Sequence, residues 1–345
     1  MPEHTAHTPY DCEEQRMWKY LLQRTLYMIF TVWVITLISF WVIQLPPGDY
    51  VTTLMSQMQS ISGRALTPET EQQMRVQYGL NEPVYVQYYK WISNIVFRGQ
   101  FGYSFVYRRD AAELITERFP MTFALSFASL ILIWLLALPI GIYSAVRQYS
   151  IADYIFTFLG FIGLTVPGFL LALICMFITY KYFGHVVIGL FSQKLADAPW
   201  SWAKFVDLLQ HIWLPVLLIG LGGTAGLIRT MRANLLDELK KPYVETARAK
   251  GLSETKLLLK YPVRHAMNPF ISTIGWILPG LVGGELLVAI VLNLPTSGPV
   301  FYQALIQQDQ YVAAGFILVF SILTVIGTFI SDVLLAFLDP RIRLQ

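Results

Sequence analysis

Charge is what this chain has least of. Only 14% of its 345 residues are Asp, Glu, Lys or Arg, against about a quarter in an average soluble domain. The deficit is uneven: long stretches hold no charge, and the charged residues crowd into the gaps between them. With 55% hydrophobic residues, that pattern excludes an ordinary soluble domain. It fits a chain solvated by lipid, because a bilayer core about 30 Å thick needs about 20 apolar residues per helix. Cysteine is nearly absent too. Cys12 and Cys175 cannot frame a disulfide scaffold, and Cys175, in an apolar stretch, reads as a small buried hydrophobe. A net charge of +3 is too small to suggest a nucleic-acid partner. His4, His7, His185, His211 and His265 show no metal-ligand spacing, so no metal site is expected. There is no G-x-x-x-x-G-K-[ST] phosphate loop, no H-E-x-x-H and no G-x-S-x-G. Gly102-Tyr103-Ser104 is too short to suggest a serine nucleophile and reads as a turn. No catalytic residue is expected.

What is present is six apolar spans: Leu26–Leu45, Phe119–Val146, Tyr154–Tyr180, Ile212–Ile228, Phe270–Leu292 and Val312–Leu338. The first four contain no charged residue; the fifth holds only Glu285 and the sixth only Asp332. Helices suit lipid because each closes its own backbone hydrogen bonds. The first seventeen residues are polar, and the first apolar run is too long for a cleaved signal, so it reads as a retained anchor. Basic residues give the orientation. Arg16, Lys19 and Arg24 precede the first span; nine Lys and Arg lie between spans four and five; Arg341 and Arg343 follow the sixth. Six spans place these three segments on one side, and the positive-inside rule makes that side cytoplasmic, with both termini.

The long segment Pro46 to Arg118 then lies outside. It carries seven basic and seven acidic residues, and long loops weigh little in that rule. Thr67-Pro68-Glu69 predicts an N-cap with Pro at the first helical position, the helix running to Tyr78 and stopping at Gly79. A second helix is expected over Pro83 to Phe97, with Tyr85, Tyr88, Tyr89 and Trp91 suited to a membrane surface. This segment reads either as a packed cap or as a docking element. Gly222 with Gly226, and Gly280 with Gly284, have the small-xxx-small spacing of closely packed membrane helices, or are ordinary glycine enrichment.

Two membrane-embedded acids stand out, since an ionised carboxylate at mid-bilayer costs at least about 2.5–3.5 kcal/mol on insertion scales. Glu285 is expected either to line a solute route or to make a structural hydrogen bond to a neighbouring helix. Asp332 is expected to cap or to pair with a base such as Arg341.

Residues 231–266 carry the most information. Pro242 ends one helix, Tyr243 to Lys250 predicts a short helix, and Gly251 stops it. Ser253 is placed to cap a second helix with Leu257 and Leu258 on one face and Lys256 and Lys260 on another. A short helix bounded by Pro and Gly is a rigid knob, and Ala247 and Ala249 are small enough for it to seat in a groove. The alternative is a basic loop drawn to anionic lipid, at about 1 kcal/mol per basic residue.

Glu245-Thr246-Ala247, with Gly251 six residues after the Glu, resembles the E-A-A-x-x-x-G coupling loop of ABC importer permeases. Tyr243-Val244-x-x-Ala247-Arg248-Ala249-Lys250-Gly251-Leu252-Ser253 is similar to the peptide, dipeptide and nickel (oligopeptide) branch, and within it to the first-permease subunit. Tyr78-Gly79-Leu80-Asn81-Glu82-Pro83 with Gln87-Tyr88, Gly99-x-x-Gly102-x-Ser104, and the ending Asp339-Pro340-Arg341-Ile342-Arg343 agree. The resemblance covers nearly the whole chain beyond the first twenty residues. It implies an all-α membrane protein with the six-helix type I importer permease fold. The expected divisions are a cytoplasmic segment 1–25, a first span 26–45, an extracytoplasmic segment 46–118, a permease core 119–338 containing the coupling loop 229–266, and a tail 339–345. It further implies a bacterial or archaeal cytoplasmic membrane and a heterodimer with a second permease. One or two ATPase subunits would carry ATP and Mg, and an external binding protein would deliver the solute. This chain itself would bind no cofactor, and Tyr243 to Leu252 would be the coupling helix.

Three stretches depart from the family pattern. Pro46-Pro47-Gly48-Asp49-Tyr50 replaces an aliphatic-Pro-Gly-Asp-Pro turn. Tyr261-Pro262-Val263-Arg264 replaces I-x-L-P, and the branch's own N-x-x-x-P-like ending is only approximated by Asn268-Pro269. The Glu expected six residues before a Pro-Gly pair is Ala289, with Pro295-Thr296 as the pair and Glu285 one turn deeper. Peptide is the implied cargo, with oligosaccharide as the alternative. A lone secondary transporter or channel is the competing class, but it would need several intramembrane polar sites.

Overall fold

The computed structural model describes residues 9–45, 51–52, 55, 68–77, 81–104, 106–184, 186 and 188–338. The expected features at Thr67, Tyr78 to Leu80, Pro46 to Tyr50 and Asp339, Pro340, Arg341, Ile342 and Arg343 lie outside these residues.

The described chain is helical apart from one two-residue hairpin. α1 (Pro9–Ile43) is followed by α2 (Pro68–Gln77) and α3 (Val84–Arg98). Strands β1 (Tyr103–Ser104) and β2 (Arg109–Asp110) pair antiparallel, with Tyr103 opposite Asp110. Then come α4 (Ala111–Val146), α5 (Ile151–Thr165), α6 (Gly168–Phe183) and α7 (Trp202–Leu239). The short helices α8 (Pro242–Ala249), α9 (Glu254–Lys260) and α10 (Pro262–Ser272) lead to α11 (Ile274–Val291), α12 (Ser297–Ile306) and α13 (Gln310–Leu338).

Four of these are long and apolar enough to cross a membrane: α1 over Leu22–Trp41, α4, α7, and α13 over Gln310–Leu335. The expected span Tyr154–Tyr180 is not one straight helix. It breaks between α5 and α6, which meet at 101°. Pro167 causes the break: its ring pushes the preceding residue out of the helical region, and Val166 is extended at φ −89°, ψ 119°. The expected span Phe270–Leu292 is likewise divided at Thr273, between α10 and α11.

The core lies along α4 and α7. Leu125 and Ile133 of α4 are buried against Leu218, Met231 and Leu235 of α7 and Phe270 of α10. Close approach within the chain depends on glycines outside the spaced pairs. A Cβ on Gly141 would stand 2.7 Å from the Cβ of Met231, and one on Gly163 would stand 3.0 Å from the Leu221 carbonyl. Gly226 and Gly280 face open space, and Gly222 comes no closer than 4.0 Å to Gly163.

The segment before α4 packs on the bundle. Phe40 of α1 and Trp91 of α3 are buried together with Ala314 and Leu318 of α13. The Tyr88 hydroxyl meets Thr36 Oγ1 at 2.7 Å, and Trp91 Nε1 donates to the Phe101 carbonyl at 2.9 Å. Tyr88 and Trp91 therefore face α1 instead of a membrane surface; Tyr85 and Tyr89 remain exposed. α3 starts and stops close to where the sequence placed it, with Gly99 left-handed at φ 66°.

Candidate functional site

α7 ends at Leu239, and a tight turn leads directly into α8. Pro242 occupies the first position of α8, where its fixed φ is already helical and its missing N–H costs nothing. So Pro242 opens α8 as well as ending what precedes it. Glu238 ties the corner: it accepts from Lys241 Nζ at 2.6 Å and from the Tyr243 hydroxyl at 2.5 Å. Burial and then the Glu238 hydrogen bond raise the Tyr243 pKa, so this phenol stays a donor.

The far end of α8 closes in a Schellman turn. Gly251 is left-handed at φ 80°. Its N–H donates to the Arg248 carbonyl at 3.0 Å, and the Leu252 N–H reaches the Ala247 carbonyl at 3.4 Å. This pair of bonds satisfies carbonyls that a helix end otherwise leaves open, and it brings the residue after the glycine onto the last turn. Leu252 accordingly packs beside Ala247.

α9 then folds back. Val244, Ala247 and Leu257 are buried together, with Tyr243, Leu252 and Tyr261 around them. Val244 and Leu257 are fully enclosed, worth roughly 1.5–3 kcal/mol each. Across the Gly251 turn, Arg248 grips Glu254 with two bonds, Nε to Oε1 at 2.6 Å and Nη2 to Oε2 at 3.1 Å. That bond pair holds the Glu254 carboxylate below its usual pKa. Ser253 stands at the α9 N-cap position, but its side chain makes no capping bond. The Tyr243 ring lies 5.8 Å from that of His265, joining the hairpin to α10.

The ten residues Tyr243, Val244, Glu245, Thr246, Ala247, Arg248, Ala249, Lys250, Gly251 and Leu252 thus divide into two faces. Val244 and Ala247 point into the hairpin; Glu245, Thr246, Arg248, Ala249 and Lys250 point out. Ala247 is small because Leu257 and Leu252 lie against it. Of the two alanines, only Ala249 is on the face open to a partner.

Glu285 lies on another element, α11. It is buried on α11 at 1% exposure, in the half of the bundle remote from the α8–α9 hairpin. Neither carboxyl oxygen has a hydrogen-bond partner. The Thr296 hydroxyl is beside it without forming a bond of proper geometry. Asp332 pairs with a base, Arg24 of α1, at 3.1 Å; Arg341 lies outside the described residues.

Of the buried acids that no motif marks, Asp309 and Asp153 join distant elements. Asp309 accepts from Ser104 Oγ at 2.6 Å, fastening the β-hairpin to the start of α13. Asp153 at the start of α5 meets Arg232 of α7 at 3.2 Å. Each partner lies far along the chain, so no local spacing signals either pair.

Comparison with known proteins agrees with this geometry. Residues 137–344 match the family described as binding-protein-dependent transport system inner membrane component. Residues 17–126 match the N-terminal segment of the membrane component of such systems. The chain is 36% identical over 325 residues to the oligopeptide transport system permease protein AppB of Bacillus subtilis strain 168, covering 94% of this chain and 99% of that protein. It is 32% identical to the glutathione transport system permease protein GsiC of Escherichia coli K12, covering 95% and 99%. It is 29% identical to the oligopeptide transport system permease protein OppB of Haemophilus influenzae, covering 95% and 100%. The chain therefore belongs to the family of inner membrane components of binding-protein-dependent transport systems, whose members are transport permeases and not enzymes.

Proposed function

We propose that this chain is the first-permease subunit of an ATP-driven peptide importer and forms half of its translocation path. The observation that carries this reading is the α8–α9 hairpin: a preorganised knob, rigidly continuous with α7 and α10 and presenting Glu245, Thr246 and Ala249. An ATPase seated on that face would move α7, and α7 packs along most of α4. A motion entering at α8 would thereby reach the body of the bundle with little lost in local bending.

The chain works as a heterodimer with a second permease, beside one or two ATPase subunits that bind ATP and Mg. A binding protein delivers the solute on the opposite side. The α5–α6 pair and residues 270–292 each count as one crossing, giving six. The nine basic residues from Arg229 to Arg264 then face the cytoplasm, as do both termini, in a bacterial or archaeal cytoplasmic membrane. Peptide is the cargo named by two of the relatives; oligosaccharide, the alternative raised by the sequence, has no counterpart in those names.

Reconstitution tests the reading. Proteoliposomes holding both permeases and the ATPases, with the binding protein outside, should take up peptide only when ATP is inside. Uptake by this chain alone, without ATPase, would show a lone carrier, and ATP-driven uptake of oligosaccharide in place of peptide would overturn the cargo.

A further inference from the structure

The Thr296 hydroxyl beside Glu285 is also unsatisfied. Thr296 and Ser297 begin α12, and both are buried, at 1% and 0% exposure. Their side-chain oxygens have no partner, nor has Ser126 Oγ on α4. The three elements meet here. The Ser297 N–H donates to Thr122 Oγ1 of α4 at 2.8 Å, and Ser126 lies one turn deeper on the same buried face. A Cβ on Gly298 would stand 3.2 Å from the Cα of Leu286, so the α12 turn is pressed onto α11.

An ionised carboxylate cannot rest in such a place by itself. Buried charge must be paired, coordinated or neutralised, and within a bilayer the requirement is stricter. The protein offers Glu285 no pairing among the described residues. Arg118, two turns from Ser126 on α4, spends Nη2 on Glu117. Lys204 of α7 donates to the Ala196 and Ala198 carbonyls. Lys181 of α6 lies over the Phe177 and Tyr182 rings. Arg229 lies over Phe161, and Arg232 serves Asp153. Arg264 and His265 belong to α10, at the hairpin end. On α13, Asp332 is itself an acid and already paired, and α12 contributes no cationic side chain, only Tyr302, Gln303 and hydroxyls. Nor does the α12 N-terminus substitute: the Ser297 amide is taken by Thr122, and Pro299 has no N–H.

We propose that Glu285, Thr296, Ser297 and Ser126 form a buried site for one monovalent cation, H+ or Na+. The cation supplies the charge that no side chain provides, and it binds α11, α12 and α4 together at the end remote from the hairpin. A proton needs only the carboxyl and one hydroxyl acceptor; sodium would use the carboxylate with the three hydroxyl oxygens as ligands. The site does not depend on which solute the transporter carries.

Infrared spectroscopy of the assembled transporter in lipid nanodiscs tests this and separates the two sources. In sodium-free choline chloride at pH 7, the wild type should show the carbonyl band of a protonated carboxylic acid, and Glu285→Gln should lack it. If sodium is the preferred occupant, that band disappears when sodium chloride replaces choline chloride, and the wild type, but not Glu285→Gln, unfolds at a temperature several degrees higher in sodium chloride than in choline chloride. Neither a band nor a sodium effect would overturn the proposal, as would either signal persisting unchanged in Glu285→Gln. Should that variant fail to assemble, Glu285→Asp keeps the acid but moves it. Its protonated-acid band should shift in frequency from the wild-type position, or its stabilisation by sodium should weaken; if neither happens, the site does not exist.

Discussion

At one end of the bundle, α8 and α9 close on each other through contacts a few residues apart: Val244 and Ala247 on Leu257, Tyr243 on Glu238, Arg248 on Glu254. At the other end the bonds span most of the chain. Ser104 reaches Asp309, Thr122 holds the Ser297 amide, and Glu285 of α11 lies beside the Thr296 hydroxyl at the start of α12. The first end can keep its shape while the helices around it move, because its contacts are its own. The second can keep its shape only while α4, α11, α12 and α13 stay together. A stiff lever at one end and a separable polar seam at the other is a sensible division for a protein that must open on one side at a time.

Breaking the lever should have the largest effect. Gly251→Pro removes the N–H that caps α8 and demands a φ near −65° where the chain has +80°. Ala247→Trp forces bulk between α8 and Leu257. Either should abolish peptide uptake and uncouple it from ATP hydrolysis, while membrane insertion and the melting of the rest of the bundle stay near wild type. Uptake at the wild-type rate would mean that the hairpin does not transmit motion.

Loosening the seam should come next. Asp309→Ala leaves the buried Ser104 hydroxyl without its acceptor, a loss of about 1–3 kcal/mol. The expected signature is faster hydrogen exchange in 103–110 and at the start of α13, with exchange in α8 unchanged. Altered α8 exchange would show that the two ends are not separate.

Damage to the middle should respect neither end. Gly163→Leu puts a side chain against the Leu221 carbonyl, and overpacking of this kind costs about 1–3 kcal/mol. Thermal unfolding should shift as a whole, with no end preferentially exposed.

Acidification should matter least. Arg248 holds the Glu254 pKa down in the fold, so the stability it adds is present above the ordinary carboxylate range and is lost as pH falls through the lowered value. The pair is exposed, and such pairs contribute little. Exchange at the Gly251 turn should rise only slightly between neutral and acid pH, and Glu254→Gln should remove that small dependence without a measurable change in melting.

The same contrast explains what the sequence revealed. The hairpin was legible because its determinants are local and chemical: Pro242 can open a helix, Gly251 can turn left-handed, and the apolar residues recur at helical spacing. Its faces were harder to read, since Ala247 looks like a docking residue until Leu257 is seen against it. Long apolar runs announced the spans, yet one of them bends at Pro167, because hydropathy measures length and polarity but not direction. Glycine spacing has the same limit. Which side of a helix meets a neighbour depends on packing, and Gly141 and Gly163 carry the close contacts. Nothing in the sequence could join Ser104 to Asp309 or Asp332 to Arg24, because those pairings exist only once the helices are assembled.

The most direct test of the lever is chemical cross-linking from its outward face. With Cys12 and Cys175 replaced, Thr246→Cys in the assembled transporter should cross-link to an ATPase subunit, with a yield that changes when ATP binds, while Val244→Cys, facing inward, should not. Thr246→Cys that never reaches the ATPase, or that is labelled only from the side on which the binding protein docks, would contradict the account.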